Sequence, residues 1–169
     1  AYYAGWDRSE SQNNIPYKNL HHPSGAVKKF GITRSLLTLT SWSTSSDSPF
    51  DRDSHWRVLS WDRGSTHGGS SGSPLFNGNN LVVGGLTGGS SSCNNTSPNG
   101  TPAFFFAFYK GWENDNPTNQ LKTYLDPLNT GKMQLEGMDP NKDNPLKRLS
   151  NMQLGTTGTL VTTKYDSPH

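Results

Sequence analysis

The sequence predicts an all-β fold, a small antiparallel β-barrel with one helix towards the C-terminus. Three observations carry that prediction. Eighteen glycines and eleven prolines stand in a chain of 169 residues that is only 30% hydrophobic, a composition of short strands and many turns. Short runs rich in β-branched and aromatic residues recur between clusters of Gly, Asn, Asp, Ser and Pro. Only one segment combines helical spacing with a cap and a stop.

Tyr2 to Trp6 is the first run of β-formers, followed by a polar turn region from Asp7 to Asn14. A second strand ends in the turn His21-His22-Pro23-Ser24-Gly25, and Ala26 to Ile32 makes the third. Leu36 to Trp42, alternating leucine with threonine, is a fourth, and the Ser/Asp/Pro-rich stretch from Ser43 to Asp53 reads as an exposed loop. His55 to Trp61 is a fifth strand, leading into a glycine-serine cluster. Leu75-Phe76, Asn77-Gly78 and Leu81-Val82-Val83 read as strand, two-residue turn and strand, because Asn-Gly is the strongest short hairpin signal. Gly84 to Gly89 continues extended, Asn94 to Pro102 is a loop, and Ala103 to Tyr109 is an aromatic strand. The helix runs from Thr118 as N-cap through Leu121, Tyr124 and Leu125 to a stop at Asp126-Pro127, and is expected to be structural. Residues 1–140 therefore form one domain. Residues 141–169 form a polar tail of unassigned role, with a weak helical run at Leu146, Leu149 and Met152 and a strand-like Thr159 to Tyr165.

The formal charge of +2 is close to balance, and no basic run is interleaved with aromatics, so nucleic acid is not an expected partner. No apolar stretch has the length of a membrane-crossing helix, and a soluble chain is expected. The first six residues already read as strand, with no methionine or leader, as at a processed end. The single cysteine, Cys93, cannot close a disulfide within the chain; it is a small buried hydrophobe, a free thiol or half of a bond to another chain. No cofactor or metal is expected.

The stretch that carries chemistry is Gly68-Gly69-Ser70-Ser71-Gly72-Ser73-Pro74. Glycines on both sides of Ser71 permit a tight bend with positive φ, which holds the hydroxyl out while backbone N–H groups converge. That is the layout of a nucleophile on an oxyanion site. A nucleophile elbow of the α/β-hydrolase kind needs a helix after the serine, and a hairpin follows Ser71 instead. A plain flexible Gly/Ser loop is the competing reading, weakened by the strands on both flanks.

Ala4-Gly5-Trp6-Asp7-Arg8, His21-His22-Pro23-Ser24-Gly25 followed by Lys28-Lys29, Gly68 to Phe76, Gly88-Gly89-Ser90-Ser91-Ser92-Cys93 and Tyr124-Leu125-Asp126-Pro127 occur together in this order. In this the chain resembles the bacterial lysyl endopeptidases, secreted trypsin-like serine proteases, over roughly residues 1–140. The resemblance implies the C-terminal, six-stranded antiparallel barrel of a chymotrypsin-like fold with its terminal helix. It implies that Ser71 is the acyl-accepting nucleophile of a secreted endopeptidase acting on protein or peptide, and that the N–H groups of Gly69 and Ser71 form the oxyanion hole. The histidine and aspartate of the triad lie in the family's N-terminal half, so an N-terminal protease chain is the expected partner, disulfide-linked through Cys93.

The same resemblance places the specificity pocket at Ser65, Thr87, Gly88, Gly89 and Ala103. Relatives meet a substrate lysine with an aspartate nine residues before the tryptophan matching Trp112; here that position is Ala103. Ser65, six residues before Ser71, is uncharged too. A lysine ammonium would keep its desolvation penalty with no ion pair, so an uncharged side chain is expected there, with Gly88 and Gly89 keeping the mouth open. Thr87 stands where relatives carry a histidine, and Trp42 matches their tryptophan near the catalytic histidine. A non-catalytic barrel that keeps the serine loop as scaffold is the rival reading, and an esterase working through a local histidine such as His67 or His55 is a third.

Overall fold

The computed structural model describes residues 2–42, 52–90 and 102–140. They form nine strands, β1 (Gly5–Asp7), β2 (Tyr17–His21), β3 (Lys29–Thr33), β4 (Thr38–Thr40), β5 (His55–Val58), β6 (Pro74–Phe76), β7 (Leu81–Gly89), β8 (Ala103–Ala107) and β9 (Gln134–Leu135), with one short helix, α1 (Leu121–Leu125). The all-β class is as expected. All strands belong to one sheet in the order β3-β2-β6-β7-β8-β5-β4, with β1 attached to β7 and β9 to β1. Every ladder is antiparallel except β1 on β7.

A closed six-stranded barrel was expected, and the ladders do not close. No ladder joins the two ends of the path, β3 and β4, among the described residues. The reason lies in β5, which stops at Val58 rather than at Trp61. Beyond it the chain leaves β8 and reaches β3 only through an isolated bridge, where the Ile32 amide donates to the Arg63 carbonyl (2.9 Å) and the Asp62 amide to the Ile32 carbonyl (2.8 Å).

The core gathers Tyr17 from β2, Trp56 and Val58 from β5, Leu75 from β6, Val83 and Leu86 from β7, and Ala103, Phe105 and Ala107 from β8, with Trp61. Strand alternation explains the choice of face: residues 103, 105 and 107 point in, while Phe104 and Phe106 point out. The outer face of β8 is covered by Trp42, edge-on to Phe104 at 5.4 Å, and by His55, edge-on to Phe106 at 5.6 Å. On β2 the inward positions carry Tyr17, Asn19 and His21 while Leu20 is outside, so two polar side chains occupy a core-facing row.

Three local expectations are corrected. The hairpin turn spans Asn77 to Asn80 rather than two residues, because the Asn77 side chain accepts the amides of Asn79 (3.0 Å) and Leu81 (3.1 Å) and Asn80 takes the positive φ. The helix has Gln120, not Thr118, at its N-cap: Thr118 lies in a 3-10 turn capped by Asn116. Its face is not shared by Tyr124, which is 68% exposed and donates its hydroxyl back to the Thr118 carbonyl. The Ser43 loop, the Asn94 loop, Cys93 and the 141–169 tail lie outside the described residues except at loop edges.

Candidate active site

Ser71 is exposed at the tip of the loop between residue 67 and β6. Gly69 has φ +85° and Gly72 φ +79°, left-handed conformations in which a side chain is strained, so both glycines are required by the bend. At Gly69 a Cβ would in addition meet the Ser24 backbone nitrogen at 3.0 Å.

A planar peptide points its N–H and C=O in opposite directions, so anchoring a carbonyl aims the amide that shares its plane. The Gly68 carbonyl accepts the Ser24 amide at 2.8 Å, which aims the Gly69 N–H. The Ser70 carbonyl accepts the Ser73 amide at 3.1 Å, which aims the Ser71 N–H. Neither the Gly69 nor the Ser71 amide donates to a partner among the described residues, and no hydrogen bond there reaches the Ser71 hydroxyl. Two oriented, uncommitted donors beside an exposed hydroxyl are what an acyl-transfer site needs.

The loop is clamped from two sides. The Gly72 amide donates to the Leu86 carbonyl (2.7 Å) and the Leu86 amide to the Ser73 carbonyl (2.9 Å), tying it to β7. On the other side the 3-10 turn Pro23–Gly25 packs on it, with Ser24 Oγ hydrogen-bonded to His67 Nδ1 at 3.0 Å. Beneath, His21 Nδ1 and Ser70 Oγ are hydrogen-bonded at 2.7 Å, both residues buried. Burial, and then neighbouring His22, push the His21 ring below the ordinary imidazole range, which favours its neutral form.

The four described histidines are thus otherwise engaged. His21 holds Ser70, His67 holds Ser24, His22 Nδ1 bonds the Ala26 carbonyl at 3.1 Å, and His55 bonds Ser54 Oγ (2.7 Å) and Thr87 Oγ1 (2.8 Å). None of them is bonded to Ser71, and an esterase that uses His67 or His55 as base gains no support from this geometry.

Of the expected pocket residues, Thr87, Gly88, Gly89 and Ala103 come together where β7 and β8 pair, Gly88 opposite Phe104 and Gly89 opposite Ala103. Thr87 follows Leu86, the residue that holds Gly72, so this end of β7 adjoins the serine loop. Ala103 is fully buried and belongs to the core. The open mouth expected from Gly88 is corrected: a Cβ there would come within 2.8 Å of the Trp42 ring, so the glycine makes room for an indole. Ser65 is half-buried on the approach to the loop, and no hydrogen bond among the described residues joins it to the other four. A separate cleft lined by Trp6, Leu125, Asp126 and Leu135 lies under the helix, away from Ser71.

Sequence reasoning missed the part played by His21, Ser24 and Ser70. The available signal was the run Tyr17, Asn19, His21: polar side chains at alternate, core-facing positions of a strand require partners inside.

The fold and the site together are a β-sheet domain that carries a glycine-bent serine loop beside oriented backbone amides. The family model described as "Lysyl endopeptidase, C-terminal domain" matches residues 1–106, and the chain belongs to that family. A protease-related role follows. Among the described residues no helix is long and apolar enough to cross a membrane, and no group of three or more His, Cys, Asp or Glu is placed to hold a metal ion.

Proposed function

We propose that this chain is the C-terminal half of a secreted serine endopeptidase. The observation that carries the reading is the exposed Ser71 hydroxyl between two left-handed glycines, with the Gly69 and Ser71 amides oriented and uncommitted. In this mechanism Ser71 Oγ attacks the peptide carbonyl carbon, giving its proton to a histidine of an N-terminal chain that an aspartate orients. The oxyanion is held by the two amides; collapse expels the amine, which takes the proton from the histidine, and water then cleaves the acyl-enzyme by the same steps. Each donor is worth about 3 kcal/mol at the transition state.

Residues 1–140 are the catalytic domain in this reading, since β9 completes β1 and the Tyr3 and Met138 amides exchange hydrogen bonds at 2.8 Å. The six strands β3-β2-β6-β7-β8-β5 correspond in this reading to the family's barrel, open here between β3 and β5 apart from the isolated Ile32–Arg63 bridge. In this reading Ser65, Thr87, Gly88 and Gly89 form the substrate side, over the buried Ala103, and favour an uncharged residue before the scissile bond, in keeping with the absence of an acid among the five. Cys93 pairs with a cysteine of the N-terminal chain.

A fluorophosphonate probe tests the proposal on the protein together with its N-terminal chain: Ser71 is labelled, and Ser71→Ala loses labelling and peptide cleavage together. Full activity in that variant overturns the assignment. Absence of labelling and cleavage in the parent favours the rival, a non-catalytic domain that retains the loop as scaffold.

A further inference from the structure

We infer that His21 is a positioning residue for the oxyanion loop, its buried ring fixing Ser70 so that the Gly69 and Ser71 amides stay aimed at one point. The inference rests on the reading of Ser71 as nucleophile. Ser70 lies between the two donors, and its three polar groups are all committed: the amide donates to the His67 carbonyl (3.1 Å), the carbonyl accepts the Ser73 amide (3.1 Å), and the hydroxyl bonds His21 Nδ1 (2.7 Å). The first two are bonds within the loop and would survive if the whole loop turned as a unit. Only the third ties Ser70 to the sheet.

His21 can serve as that tie because it cannot itself move. It closes β2, paired with Lys29 of β3, and is 3% exposed. The next residues double the attachment, since the Ser24 amide holds the Gly68 carbonyl and the Ser24 hydroxyl holds His67. The segment 21–24 therefore grips the loop at 67, 68 and 70, and of these Gly68 and Ser70 carry the carbonyls that share a plane with the two donors. His21 Nε2, buried and without a partner among the described residues, leaves the ring a single polar attachment, the one to Ser70.

The experiment uses the protein with its N-terminal chain and compares H21N, H21Q and S70A. Asparagine places an amide where Nδ1 stands, whereas glutamine carries it one methylene too far. H21N keeps kcat within about 3-fold of the parent, while H21Q and S70A lower it about 10- to 100-fold with KM little changed, short of the loss of a whole oxyanion donor. The H21Q/S70A double variant is no worse than either alone. A second readout is independent of turnover: amide shifts and exchange at Gly69 and Ser71, by NMR, move in H21Q and S70A and stay in H21N. Unchanged kcat in H21Q, an H21N as impaired as H21Q, or a loss confined to KM overturns the inference. If the parent neither cleaves nor labels, the protease reading fails by itself, and the NMR comparison alone decides whether His21 holds the loop.

Discussion

The Trp42 indole lies against the α-carbon of Gly88, 46 positions further along the chain, close enough that a Cβ there would come within 2.8 Å of the ring. Through Phe104, edge-on to the same indole, this contact roofs the outer face of the β7–β8 ladder beside Thr87. Gly88→Val therefore expels Trp42. The expected result is a shift of the Trp42 fluorescence towards a solvated indole and a destabilisation of about 1–3 kcal/mol by urea unfolding, as for overpacking. A smaller side chain in Trp42's place restores stability to the Gly88→Val protein if the clash is the cause.

Gly69 offers a sharper test of the loop. With φ +85° and the Ser24 nitrogen 3.0 Å from any Cβ, Gly69→Ala must shift either the bend or the Pro23–Gly25 turn. It is expected to cost about 1–2 kcal/mol of stability and at least about 10-fold in the rate of probe labelling at Ser71. Gly68→Ala, at a position with open space and no positive φ, serves as the control with both values near the parent's.

Tyr17 sets an alkaline limit. Its ring is fully buried, its hydroxyl has no partner among the described residues, and burial, then the charge of Asp7, push its pKa from 10.0 up to about 12. A folded pKa above the unfolded one means that this contribution is fully present below pH 10 and is lost as pH rises from 10 towards 12. The loss is on the order of 2 kcal/mol, read as a fall in the urea midpoint. Tyr17→Phe removes that limb and leaves neutral-pH stability within about 1 kcal/mol, because the hydroxyl has no bond to lose.

Asp7 is buried at a junction where it accepts the Ser9 amide (2.8 Å), Asn77 Nδ2 (3.1 Å) and Gln134 Nε2 (3.1 Å). Asp7→Ala leaves the Asn77 and Gln134 amides facing each other with no acceptor. A destabilisation of about 2–4 kcal/mol is expected in urea, well beyond that of a surface carboxylate.

The serine loop and most strands were legible because their signals are local: the glycines of 69 and 72 dictate the bend, and runs of β-formers between turn residues mark the strands. The turn after β6 was misjudged because Asn77 spends its side chain on the backbone two and four residues on, stretching what Asn-Gly alone would close in two. β5 was drawn too long because Trp61 is as apolar as a strand residue, though it packs from the segment that crosses to β3. The bond from His21 to Ser70 spans 49 positions, and no period or propensity announces such a contact; only the oddity of a polar inward row does.

The pairing of β1 with β9 has a consequence for the order in which the molecule can be made. Trp6 faces Leu135 and Tyr3 faces Met138, so the first strand finds its antiparallel neighbour only after nearly the whole domain has been synthesised. Until then β1 has just its two-residue parallel register on β7, Gly5 with Leu81 and Trp6 with Val82. Such long-range pairing is costly in loop entropy and slow to form. A nascent chain lacking residues 134–138 would hold its β1 loosely, because those residues supply its antiparallel neighbour.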